Sequence, residues 1–174
     1  MVMNAGSGFS HEERMPEGED IHMLQIFLRP RQAGLPPAVQ FVELDEAARE
    51  GRWRLLVGPD TMDTLDAGNG DGAIGNGDPA PATVRQDVLL HDVRVPSDSA
   101  IALLRRDGFD QWLYVFDGTV ELQDGTRLGT GAAIAATGED RIARVKAVED
   151  SDLVLFELAR GAPFTLTGSL SRGR

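Results

Sequence analysis

Acid–base or metal chemistry in this 174-residue chain has to be built from a short supply of side chains, because it has no cysteine and three histidines. Without cysteine there is no disulfide, no thiolate metal site and no cysteine nucleophile. The pair with ligand spacing is His11-x-Glu13. On an extended segment residues i and i+2 project from the same face, so an imidazole and a carboxylate so spaced can reach one divalent ion. Glu13 would then be a metal ligand beside His11. Two donors do not complete a site. The plainer reading is a solvated tail, with Gly6, Gly8, Pro16 and Gly18 opposing a helix. His22 opens an alternating run and reads as a hydrogen-bonded core histidine, its other reading being a third ligand. His91 adjoins Asp92, but neighbours on a strand face opposite ways, which argues against a base held by its orienter.

The elements that must position these residues are strands. From Phe109 to Ala136 the chain reads as three short strands in succession: Trp112, Tyr114 and Phe116 alternate with Leu113 and Val115, Val120 and Leu122 follow, and then Ala133 to Ala135. Asp117-Gly118 and Asp124-Gly125 separate them, and Asp-Gly between apolar runs is a hairpin signal of the type I′ kind. Further strands are expected over Ile21–Arg29, Arg52–Val57, Val84–Val95 (whole, or broken at His91-Asp92), Ala100–Arg106, Arg141–Val148 and Leu153–Ala159. In the first of these His22, Leu24, Ile26 and Leu28 would face the core. Leu44–Glu50 is the best helical turn, closed by Gly51. Residues 60–82 form a Gly- and Asp-rich insertion with GNGD twice. An EF-hand frame set on Asp71-Gly72 puts Ala67 at the first ligand position and has no closing Glu, so a surface loop is the reading.

Twenty glycines and nine prolines among frequent turn dipeptides place the chain in the all-β class. The net charge of −11 argues against binding nucleic acid or an anionic membrane, both of which need a basic surface. No apolar run reaches the length of a membrane span, and a cytoplasmic location is expected.

The hairpins around Gly118 resemble those of a cupin, a small jelly-roll or double-stranded β-helix barrel that often holds one metal ion. Its usual first motif is His-x-His, a short spacer, Glu, six residues and Gly. Set on Gly118, that motif puts Gln111 at the Glu position, Arg106 or Asp107 at the second His position and Leu104 or Arg105 at the first. The second motif's His should stand near Arg141. The barrel is therefore expected to have an emptied centre, around Trp112, Tyr114 and Phe116, filled by its own side chains or by a small apolar ligand.

The order GSGFSHEERMP, IHMLQIFLRPR, GLPPAVQF, WRLLVGPD and VRQDVLLHDVRV is similar to the pirin family, over about Ala5 to Ala162. Gln25 and the Gln86-Asp87 pair stand at family positions, and Phe27 stands where Trp is common. The resemblance implies a bicupin related to bacterial quercetin 2,3-dioxygenases, with one metal, iron most often, in the N-terminal barrel. It implies that His11 and Glu13 are half of that ligand set, the other half lying upstream of Met1. Residues 1–30 are then a remnant of the first cupin, 31–95 linking strands with the 60–82 insertion and one short helix, 96–162 a C-terminal cupin lacking metal ligands, and 163–174 a tail. Two functions follow as expectations. One is an iron-type, quercetin 2,3-dioxygenase-like oxidoreductase acting on a flavonol-like aromatic, with Glu13 as metal ligand and catalytic proton acceptor. The other is a non-catalytic cupin scaffold or small-molecule binding module, without a metal. Apolar faces left by a partial first barrel favour a homodimer or larger homo-oligomer.

Overall fold

A computed structural model describes residues 1–6, 8, 10–12, 18, 21–61, 80–138 and 142–166. The candidate ligand Glu13, most of the Gly- and Asp-rich insertion, Arg141 and the end of the tail from residue 167 lie outside the described residues. In chain order the strands are β1 Val2–Asn4, β2 Ala38–Gln40, β3 Arg54–Pro59, β4 Ala82–Val84, β5 Val88–Val95 and β6 Ala100–Ala102. After them come β7 Phe109–Asp117, β8 Thr119–Leu122, β9 Arg127–Gly129, β10 Ala133–Ala136, β11 Arg144–Ala147 and β12 Ser151–Ala159. The expected helical turn is one 3-10 turn, Glu46–Arg49, in which the Asp45 carboxylate accepts from the Ala47 N–H at 3.0 Å.

The strands form a six-stranded sheet, β10-β7-β12-β5-β3-β4, a four-stranded sheet, β6-β11-β8-β9, and a separate pair, β1-β2. Burial alternates along the long strands: Gln111, Leu113 and Val115 of β7 and Leu153, Leu155 and Glu157 of β12 turn inward. They meet Val120 of β8 and Val145 and Ala147 of β11 in one core, closed by Leu103, Leu104 and Trp53. The Trp53 indole N–H donates to the Ala102 carbonyl at 2.8 Å, so this buried ring costs no lost hydrogen bond. On the edge side, Arg54 grips Asp92 through two bonds of 2.9 and 2.6 Å.

The hairpin expectation needs correction at Asp117-Gly118. Strands β7 and β8 belong to different sheets, so this dipeptide is a corner that turns the chain from one sheet into the other. Asp124-Gly125 does close a hairpin, β8–β9. In both pairs the glycine alone has positive φ, +89° and +85°, so neither is the type I′ turn, which needs two such residues.

Three strand expectations also change. Ile21–Arg29 belongs to no strand, because no described strand pairs with it; its apolar alternation lies along the outer face of β7 instead. Strand β6 stops at Ala102 rather than continuing to Arg106. Val84–Val95 is divided at residues 85–87, Val84 ending β4, while β5 runs unbroken through His91-Asp92 as one of the two expectations had it, its ladder to β12 covering both residues.

The aromatic phase of β7 faces out, not in. Leu113 and Val115 are fully buried while Trp112 is 41% exposed, so the barrel is packed by aliphatic side chains and not centred on Trp112, Tyr114 and Phe116. Among the described residues no helix is long and apolar enough to cross a membrane.

Candidate functional site

His11 lies on the surface at the start of the chain, and its spacing partner Glu13 is outside the described residues, so the structure does not place the two together. His22 is exposed rather than part of the core. Its ring stacks on Phe116 with centroids 4.4 Å apart, since the aromatic face it meets is the outer one. Residues 24–27 lie near the same face and, with Trp112, Tyr114 and Phe156, line a groove of about 230 Å³.

The chemistry of the barrel interior comes from other residues. His91 and Asp92 do point to opposite faces: Asp92 pairs with Arg54 outside, while His91 is completely buried in phase with Leu89, Val93 and Val95. Beside it are Glu157, at 1% exposure, and Gln111, at 3%. The His91 Nδ1 and the Arg106 Nε each stand 3.9 Å from the Glu157 Oε2. Burial first, and then the Arg106 charge, lower the His91 pKa to about 3. The 3.9 Å approach to Glu157 is therefore that of a neutral ring to a carboxylate, not an ion pair.

Two of these four residues are those that the cupin motif, set on Gly118, points to: Arg106 and Gln111. The other two, His91 and Glu157, sit inside apolar runs, where His91 stood out only as the neighbour of Asp92. Their signal was phase, because Glu157 follows Leu153 and Leu155 at period two and so had to share their inward face. The donor set does not fit a cation as it stands, since a guanidinium already lies 3.9 Å from Glu157, the one buried carboxylate among the described residues. Among the described residues, no three His, Cys, Asp or Glu side chains come together to hold a metal ion.

Residues 74–158 match the family described as the quercetinase C-terminal cupin domain. Over that stretch, just under half of its length, the chain is similar to the pirin-type cupins. A Pseudomonas aeruginosa protein provisionally named a quercetin 2,3-dioxygenase is 25% identical to this pirin-like chain over 158 residues. That alignment covers 91% of this chain and 61% of the relative. The fold is shared with two crystal structures of Escherichia coli YhhW. One has a TM-score of 0.51 and 20% identity, covering 74% of this chain and 46% of YhhW. The other, a bacterial pirin in complex with nickel(II), has a TM-score of 0.50 and 22% identity, covering 75% and 47%. The pirin-like chain thus spans less than two thirds of the curated relative and about half of YhhW.

Proposed function

We propose that this pirin-like chain acts as a non-catalytic cupin module, related to metal-dependent quercetin 2,3-dioxygenases, in which His11 and Glu13 are half of a metal ligand set. The observation that carries the reading is the barrel interior, where the Arg106 Nε stands 3.9 Å from the buried Glu157 Oε2, with Gln111 across the ladder from Glu157. An open metal position cannot share that carboxylate with a fixed guanidinium without strong repulsion. His11 and Glu13 supply two donors, and a mononuclear catalytic centre needs at least three with an open position. The runner-up is an iron-type dioxygenase, favoured by the provisional name of the P. aeruginosa relative.

Metal analysis of protein reconstituted anaerobically with ferrous iron decides between them. The expected result is iron far below one equivalent per chain and no consumption of quercetin. Near-stoichiometric iron that disappears in His11→Ala would overturn the module reading and install the enzyme.

The same module is proposed to work as a homo-oligomer. Phe27, Val39 and Phe41 are 65, 56 and 80% exposed, and Phe27 lines the groove on the outer aromatic face of β7. Light scattering at micromolar concentration is expected to give at least twice the 18.8 kDa chain mass, and a monomer would sink the proposal.

A further inference from the structure

The barrel is packed by leucine and valine except at one end, where β5, β7, β12 and the loop after β6 bring four polar side chains together. Glu157 stands directly across from Gln111, and His91 lies across from Leu155, one inward position along. The Gln111 amide donates to the Leu104 carbonyl. Its Oε1 is left buried, with no hydrogen-bond partner among the described residues, and the same is true of both His91 nitrogens. A neutral imidazole, a carboxylate and an amide oxygen on one wall are donors of the kind that take a divalent transition metal. The Arg106 Nε and the His91 Nδ1 both lie 3.9 Å from the same carboxylate oxygen.

The geometry points to a metal-type donor site closed by its own cation: the guanidinium of Arg106 takes the electrostatic place of a divalent ion, and its replacement by a neutral ligand opens His91, Gln111 and Glu157 to cobalt, nickel or zinc. A buried carboxylate needs a counter-charge, and arginine supplies one that is never lost by deprotonation. The distances leave room for the exchange. Two ligands bonded at about 2.0–2.1 Å to one tetrahedral ion stand about 3.3 Å apart. The His91–Glu157 separation of 3.9 Å would therefore have to shorten by about half an ångström, a side-chain adjustment. What the barrel lacks is a neutral, donating side chain at position 106.

Cobalt(II) is the probe, because its visible d–d bands report coordination directly. Titrations would use His11→Ala protein, so that the N-terminal donor contributes nothing and the outcome is independent of the proposed function above. With Arg106 present, the expected result is no band and undisturbed His91 imidazole resonances. With Arg106→His added, a saturable band at one equivalent should appear, displace the His91 resonances and vanish in Glu157→Gln. Cobalt bound beside His91 with Arg106 in place, or a folded Arg106→His variant that binds none, would overturn the inference.

A stability cycle covers the case in which Arg106→His does not fold. Arg106→Met should lower Tm by about 10 °C. The double variant Arg106→Met/Glu157→Leu should recover at least half of that loss. Simple addition of the two single losses would overturn the idea that Arg106 serves as the cation for Glu157.

Discussion

Gly118→Ala is expected to cost about 3–5 kcal/mol, out of a total stability of about 5–15 kcal/mol for a domain of this kind. Gly118 has φ +89° at the corner where β7 passes into β8. A Cβ built there would sit 2.5 Å from the Asp150 carbonyl oxygen, 2.5 Å from the Ser151 Oγ and 2.8 Å from the Ser151 Cα. Two of those atoms are backbone leading into β12, which pairs with both β7 and β5, so relief would have to move the central ladder. Gly125→Ala is the control. Its φ is +85° and nothing lies within 4 Å of the added carbon, so only the left-handed backbone penalty of about 1 kcal/mol remains. Chemical denaturation of the two variants separates steric clash from backbone strain. Equal losses would refute the close approach at the corner.

Acid sensitivity traced to His91 is the second large effect. Its pKa is lowered from 6.5 to about 3 in the folded protein, chiefly by burial. Between those values the unfolded chain binds a proton that the folded chain does not, so stability falls as pH drops from about 6.5 towards 3 and is unaffected above that window. From pH 7 to pH 4 the loss from this residue is about 3 kcal/mol. Carboxylates add their own acid dependence, so the measurement is a difference. Urea unfolding of wild type and His91→Leu at both pH values should show the variant losing about 3 kcal/mol less. An identical pH dependence in the two proteins would show that the His91 ring takes up its proton as readily folded as unfolded.

Much of the barrel could be read from the chain because its strands alternate and its turns carry glycine, but phase was ambiguous where both phases are apolar. In Gln111-Trp-Leu-Tyr-Val-Phe the larger aromatic residues suggested an interior. The neighbours decide otherwise, since Leu113 lies opposite Leu155 on one side and Ile134 on the other, and this aliphatic layer fills the narrow space between the sheets. Asp-Gly likewise signals a reversal without saying which sheet receives the next strand. That depends on Ser151 and its long-range pairing. Ile21–Arg29 has the pattern of a strand, yet a strand exists only with a ladder partner, a property of the fold and not of the segment.

The candidate site divides in the same way. His11 and Glu13 were legible as a local pattern. His91 and Glu157 lie 66 residues apart in sequence and become a pair only when β5 joins β12. Arg106 and Gln111 were visible as departures from a metal motif. The carboxylate that gives Arg106 its role lies on a strand that reads as plain core.

The placement of the two tryptophans gives the molecule separate optical reporters. Trp53 is 5% exposed with its indole N–H bonded, whereas Trp112 is 41% exposed and tilted against Phe156 with centroids 5.0 Å apart. Emission from the first should be blue-shifted and resist acrylamide, while that from the second should be red-shifted and readily quenched. Loss of the shielded component tracks opening of the barrel. A change confined to the quenchable component tracks events on the outer face, so self-association and unfolding can be followed in one cuvette without a label.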